Sequence, residues 1–263
     1  MISILLSTYK SNLDYLKQQI CSILRQTEQD WELLIYNDGE NNTKEYSDMM
    51  WKFVQDKRVQ YYDHGHIGCV GSFNYLLSFA HGEYIAICDH DDIWETDKLE
   101  VEKKYLDEHP EVDCVFGWLR WFGEQNKLEK FRITDEEISH ELNFYQPVKN
   151  PTAMFRKKRF GKMESPFDKA SDFWYWSQYK DRHYHLIEKV LVNYRRHPGE
   201  LTKDKTEFRN NSARVIRENM RESFGVDVTL DVCKMLDPYS ATYNEALKQF
   251  IGGIIRENRI LHR

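Results

Sequence analysis

The first 108 residues alternate four times between a short unbroken apolar run and a longer stretch with a helical apolar face, a rhythm that few folds accommodate. The runs are 2–6, 31–36, 59–62 and 84–88. Between them, Leu13, Leu16, Ile20, Ile23 and Leu24 fall on one helix face behind a cap at Ser11 or Asn12. A second helix is expected over 43–54. A third starts near Gly71, with Phe73, Leu76, Leu77 and Ala80 in phase, and a fourth covers 96–108. Continuous apolar runs suit strands buried on both faces, so the pattern predicts an α/β chain with a mostly parallel sheet flanked by helices. A polar cluster follows each strand: Thr8 and Tyr9, then Asp38, then His66 and Gly68, then Asp89 and Asp91. In such a sheet these clusters converge on one edge, where ligands bind.

The last cluster carries the most chemistry. Asp89, Asp91 and Asp92 follow the run 84–88 without a spacer. Carboxylates this close repel one another unless something positive lies between them. A hard divalent cation on oxygen ligands, Mg²⁺ or Mn²⁺, meets that need. A simpler reading makes the cluster a solvated turn, with Asp92 or Thr96 capping the next helix. An EF-hand is excluded, because Ile93 and Trp94 stand where that loop needs an oxygen ligand and glycine. A haloacid-dehalogenase-type phosphohydrolase with Asp89 as nucleophile and Asp91 as acid stays open. Neither GxGxxG nor GxxxxGK[ST] occurs, so no glycine-rich turn cradles phosphate.

With 263 residues the chain can bury a real core, and its 16 Tyr, 14 Phe and 7 Trp argue against disorder. A net charge of −6 argues against nucleic acid as a partner. The five cysteines are scattered and form no zinc pattern, which suits reduced thiols in a cytoplasmic protein. The N-terminal run reads as a strand rather than a leader peptide, and no window approaches the ~20 apolar residues of a membrane span.

Beyond residue 110 the rhythm changes. Strands are expected at 112–118 and 152–155, with a polar, uneven stretch over 120–149 between them. Ser171 and Asp172 lead into an aromatic helix over 173–179, whose rings suit either the core or an acceptor-sugar platform. An extended segment at 183–194 precedes Arg195, Arg196 and His197, and 203–220 reads as a charged helix. The tail from 242 combines Phe250, Ile254 and Ile255 with Arg256, Arg259 and Arg263. A helix there could touch an anionic bilayer, or pack on its own domain or on a second subunit of a homodimer.

Five motifs in order resemble the family-two glycosyltransferases of the GT-A fold, and within them the polysaccharide and rhamnosyltransferase-like branch. They are Leu6-Ser7-Thr8-Tyr9, the run 31–36 with Asn37-Asp38-Gly39, Asp89-His90-Asp91-Asp92-Ile93-Trp94 with Asp97-Lys98-Leu99, Ser171-Asp172, and Tyr194-Arg195-Arg196-His197. The resemblance implies a Rossmann-like catalytic domain over 1–200 and a C-terminal helical extension over 201–263. It implies an inverting transfer of sugar from a UDP or dTDP donor to a glycan or lipid-linked glycan in cell-surface polysaccharide synthesis, at the inner membrane face. Thr8 and Tyr9 would contact the nucleotide base, Asp38 would accept from the base imide, and His66 and Asp89 would complete the nucleotide site. Asp91 and His197 would hold Mn²⁺ or Mg²⁺, with Asp92 as a helix cap or outer-shell group and Arg195 and Arg196 near phosphate. Asp172 would be the general base, with Asp168 as its alternative. Lys98 would neutralise the acidic cluster or pair with Glu102. A module that binds nucleotide or glycan without catalysis is the remaining alternative.

Overall fold

A computed structural model describes residues 1–39, 43–199 and 205–238, and single positions at 244, 245, 247, 249 and 253. The chain divides into two compact units. One comprises 1–135, 148–164 and 181–198, the other 136–147, 165–180 and 199–263.

In the first unit the four expected strands form as β1 (Ile2–Thr8), β2 (Trp31–Asn37), β3 (Val59–Asp63) and β4 (Tyr84–Cys88). Their helices are α1 (Leu13–Leu24), α2 (Lys44–Phe53), α3 (Gly68–Phe79) and α4 (Lys98–Glu108). Asn12 caps α1 through its side chain, which accepts from the amides of Asp14 and Tyr15, and Thr43 caps α2. The strands β5 (Ile93–Trp94), β6 (Cys114–Gly123), β7 (Lys127–Glu129), β8 (Met154–Arg156) and β9 (Tyr184–Arg196) complete the sheet. Its order is β3-β2-β1-β4-β8-β6-β9-β5, with β7 on the side of β6. Strands β3, β2, β1 and β4 run parallel, while β8 enters antiparallel to both β4 and β6.

Register fixes the functional edge. Thr8 lies opposite Asn37, and Asn37 opposite Asp63, so three strands end level. Cys88 pairs with Leu6, so the acidic turn leaves the sheet at the same edge. The two-residue β5 then runs antiparallel to β9, with Ile93 opposite Asn193 and Trp94 opposite Val192. That short pairing draws the acidic turn towards Arg195 and His197. Beneath lies a core of Ile4, Leu6, Ile20, Leu33, Ile35 and Leu99, all fully buried.

The second unit is helical: α5 (Asp135–Glu141), α6 (Ser171–Gln178), α7 (Lys205–Phe224) and α8 (Leu230–Leu236). Phe144, Phe173, Ile216, Met220 and Leu236 form its core. Phe173, Tyr175 and Trp176 are buried, so most of the aromatic face of α6 is packing surface rather than a sugar platform. The bilayer-touching helix expected at 250–263 lies, but for position 253, outside the described residues. Among the described residues, no helix is long and apolar enough to cross a membrane.

Candidate active site

The edge above β1 and β2 is built on Asp38, whose side chain is only 4% exposed. Its Oδ1 accepts from the amides of Ile67 (2.7 Å) and Gly68 (3.0 Å). These open α3, which has no cap of its own, so a carboxylate from a distant loop serves as its N-terminal anion. Gly39 takes φ +92°, and a Cβ there would stand 3.2 Å from the His66 Cβ. His66 lies over the pair, with Nδ1 2.8 Å from the Asp38 carbonyl oxygen and 3.1 Å from its Oδ2. The Tyr9 ring meets the His66 ring at 5.1 Å between centroids, tilted by 30°, with the Lys10 ammonium 5.0 Å from the Tyr9 ring centroid. Thr8 is fully buried, and its hydroxyl is 2.9 Å from the Tyr46 hydroxyl and 3.2 Å from the Tyr36 carbonyl. The Thr8 hydroxyl therefore holds strand to helix and faces away from solvent. Burial pushes the Tyr46 phenol up to about 12, so it stays protonated at neutral pH.

Asp89 is half-buried at the end of β4. Two residues on, Asp91 Oδ2 lies 2.8 Å from His197 Nε2, bringing together groups 106 positions apart. The Tyr15 ring packs edge-on against His197 at 5.3 Å. Asp92 is fully buried. Its Oδ1 accepts from the Arg195 amide at 2.9 Å, while Oδ2 meets no hydrogen-bond donor. Burial, and then the charges of Asp91 and Asp89, hold the Asp92 carboxyl well above the usual carboxylate range. Burial likewise lowers the His90 imidazole and favours its neutral form.

Asp92 is thus a brace between the acidic turn and β9 rather than the cap of α4. Arg195 completes that brace instead of reaching for phosphate. Its Nε donates to the Asp91 carbonyl at 2.8 Å and its Nη2 to Gln18 Oε1 at 2.8 Å. Its guanidinium is sandwiched between the rings of Tyr15 (4.1 Å) and Phe122 (4.4 Å). Arg196 rests on the Trp121 ring. The partners Tyr15 and Gln18 carried no sequence signal, because the contacts that recruit them are long-range. Lys98 pairs with Glu102 at 2.7 Å, both fully buried, under the Trp94 ring. Lys98 is therefore spent within α4 and does not neutralise the turn.

Among the described residues, no three His, Cys, Asp or Glu side chains form a ready cation cage. Asp91 and His197 still offer one carboxylate and one imidazole at one point. Mg²⁺ at nucleotide sites commonly takes one or two protein ligands and fills the rest from phosphate and water, and imidazole also suits Mn²⁺. The donor set fits such an ion.

Asp172 lies in the second unit, in the first turn of α6. Its Oδ1 accepts from the Phe173 amide at 2.9 Å. Burial raises its carboxyl, and hydrogen bonds from Phe173 and Gln146 partly offset that. Ala170, just before the helix, adopts φ +65°, a left-handed conformation that an alanine takes only under constraint.

Comparison with known proteins places this geometry. Residues 3–169 match the domain of Glycosyl transferase family 2. An uncharacterized glycosyltransferase of Methanocaldococcus jannaschii is 28% identical over 204 residues, covering 74% of this chain and 70% of its own. The UDP-Glc:alpha-D-GlcNAc-diphosphoundecaprenol beta-1,3-glucosyltransferase WfgD of Escherichia coli is 24% identical over 181 residues, covering 67% of this chain and 68% of its own. The crystal structure of S. aureus TarS in complex with UDP-GlcNAc shares the fold. Its TM-score is 0.66 at 16% identity, over 89% of this chain and 70% of that one. The curled, mostly parallel sheet with its acidic turn at the edge is a GT-A fold, and the chain belongs to Glycosyl transferase family 2.

Proposed function

We propose that this glycosyltransferase moves a sugar with inversion from a UDP- or dTDP-linked donor to a glycan or lipid-linked glycan. The pathway is cell-surface polysaccharide synthesis, carried out in the cytoplasm or peripherally at the inner membrane face. The observation that carries this reading is the Asp91–His197 pair, braced from behind by Asp92 and Arg195, at the sheet edge that also holds Tyr9, Asp38 and His66. The activity for which WfgD is named, on a diphosphoundecaprenol-linked sugar, supports the acceptor class, and TarS with UDP-GlcNAc supports the donor class.

Tyr9, His66 and Asp38 would seat the base, and Asp89 the ribose. Asp91 and His197 would hold Mn²⁺ or Mg²⁺, which when bound offsets the charge of the departing diphosphate. Asp172 would take the proton of the attacking acceptor hydroxyl. Its raised pKa makes it a better proton acceptor than an ordinary exposed carboxylate. A phosphohydrolase on Asp89 and Asp91 leaves the family match over residues 3–169 unexplained. A binding module without catalysis leaves the raised carboxyl of Asp172 without a use.

The test is calorimetric titration with UDP and dTDP under Mn²⁺, Mg²⁺ or chelator, paired with transfer assays. Asp91→Asn is expected to abolish the metal-dependent part of nucleotide binding. Asp172→Asn is expected to leave nucleotide binding intact and lower turnover by about 10²-fold or more. Unchanged transfer in Asp172→Asn removes it as the base. No pyrimidine nucleotide binding with either metal removes the donor reading.

A further inference from the structure

We propose that the cleft between α1 and β5 is a second anion site of this enzyme, and that it takes the diphosphate group of a lipid-linked acceptor. The inference rests on the acceptor reading above and specifies where the acceptor's phosphates sit.

The cleft measures about 330 Å³, at the lower end of the range for small-ligand sites. Asp14, Lys17, Gln18, Cys21 and Arg25, from α1 and its C-cap, line one wall, and Ile93 of β5 lines the other. Lys17 and Arg25 each lie about one helical turn from Cys21, on either side of it, so two long cationic side chains flank a small one. Among the described residues neither cation forms an ion pair. The lysines of α4 differ. Lys98, Lys103 and Lys104 each face a carboxylate four residues on, in Glu102, Asp107 and Glu108. On α1 the corresponding position after Lys17 is Cys21, and Asp14 is the only carboxylate in the lining. In a chain of net charge −6, a cleft flanked by two uncompensated cations is a place where an anion is drawn.

Gln18 adds a third donor. Its Oε1 accepts from Arg195 Nη2 at 2.8 Å, which leaves its amide N–H groups, and among the described residues these meet no acceptor. An ammonium, a guanidinium and an amide together suit the oxygens of a phosphate. The cleft also adjoins the acidic turn. Ile93 follows Asp91 by two residues, and the Arg195 that Gln18 holds donates to the Asp91 carbonyl. A diphosphate seated here leaves the sugar it carries beside the turn from which the donor's own diphosphate departs.

The test is calorimetry on the full chain in chelator at low ionic strength, with farnesyl diphosphate and inorganic diphosphate as probes. Chelator removes metal-dependent binding at the Asp91–His197 pair. Lys17→Ala and Arg25→Ala are each expected to weaken farnesyl diphosphate about tenfold, as loss of one charge-assisted hydrogen bond implies. Lys52→Ala, at an exposed position of α2, removes the same charge elsewhere and should leave the affinity unchanged. Cys21→Phe should weaken both probes by filling the cleft with every charge in place. Affinity as in the unaltered protein for both Lys17→Ala and Arg25→Ala overturns the proposal, and so does an equal loss in Lys52→Ala. Binding of inorganic diphosphate alone would make this a site for a free anion and overturns the acceptor assignment. UDP binding with Mn²⁺ is followed in parallel. If the unaltered protein binds UDP but neither probe, the cleft assignment alone fails; if it does not bind UDP, the transferase reading beneath it fails as well.

Discussion

At the scale of single residues, the site depends on side chains whose partners lie far away in sequence. Asp92 is the clearest case, since it is held by the Arg195 amide and yet keeps one buried oxygen without a donor. Its carboxyl is raised by burial, so the folded protein keeps this proton to higher pH than the unfolded chain does. That contribution is present at low pH and is lost as pH rises through the folded value. Asp92→Asn should remove the dependence. In chelator, its melting temperature should gain on the wild type as pH is raised, and parallel curves would show that Asp92 does not titrate on unfolding. Arg195→Lys should keep the charge but lose the Nε bond to Asp91 and the ring sandwich. If Asp91 and His197 hold a metal as proposed, slackening a positioning partner of this kind should lower its affinity about 10–100-fold, which Mn²⁺ titration would measure. Asp89, Asp91 and His197 could be singled out from sequence because motif and strand end coincide. The brace could not, because Tyr15, Gln18 and Phe122 look like ordinary helix and strand residues until the fold delivers them to Arg195.

At the scale of elements, the alternation in the first 108 residues maps onto β1 to α4 with boundaries shifted by a few residues. The cap Asn12 was readable because capping is local chemistry, whereas Thr43, expected as the first residue of its helix, caps it instead. The start of α3 was not, since it opens at Gly68 on a carboxylate from the end of β2. Nor was β5, whose two residues carry no periodicity and exist only as partners of β9. Helix α4 offers a sharper test. Lys98 and Glu102 are both fully buried, and burial pushes the Glu102 carboxyl up to about 7 against the pull of Lys98. Lys98→Met strands that carboxyl and should cost about 3–5 kcal/mol of stability. Lys98→Met combined with Glu102→Leu should recover most of it, since a buried pair is often matched by apolar residues of similar size. Denaturant unfolding at pH 7.5 compares the two. A double variant as unstable as the single one would show that the pair is itself a net stabiliser.

At the scale of the whole molecule, sequence order and spatial order diverge. The last strand, β9, lies inside the sheet between β6 and β5, and residues 181–198 return to the first unit after an excursion into the second. During synthesis on a ribosome the amino-terminal strands are therefore complete long before the site is. Until about residue 198 has left the exit tunnel, the Asp91 turn has neither Arg195 to brace it nor His197 beside it. Contacts of such sequence separation form late. A nascent chain stalled with residue 183 exposed should thus be readily cleaved by protease near the 89–94 turn, while one stalled well beyond 198 should resist. Equal resistance would mean that the turn is ordered without β9. The Asp91–His197 pair would then form only in a single late step of synthesis.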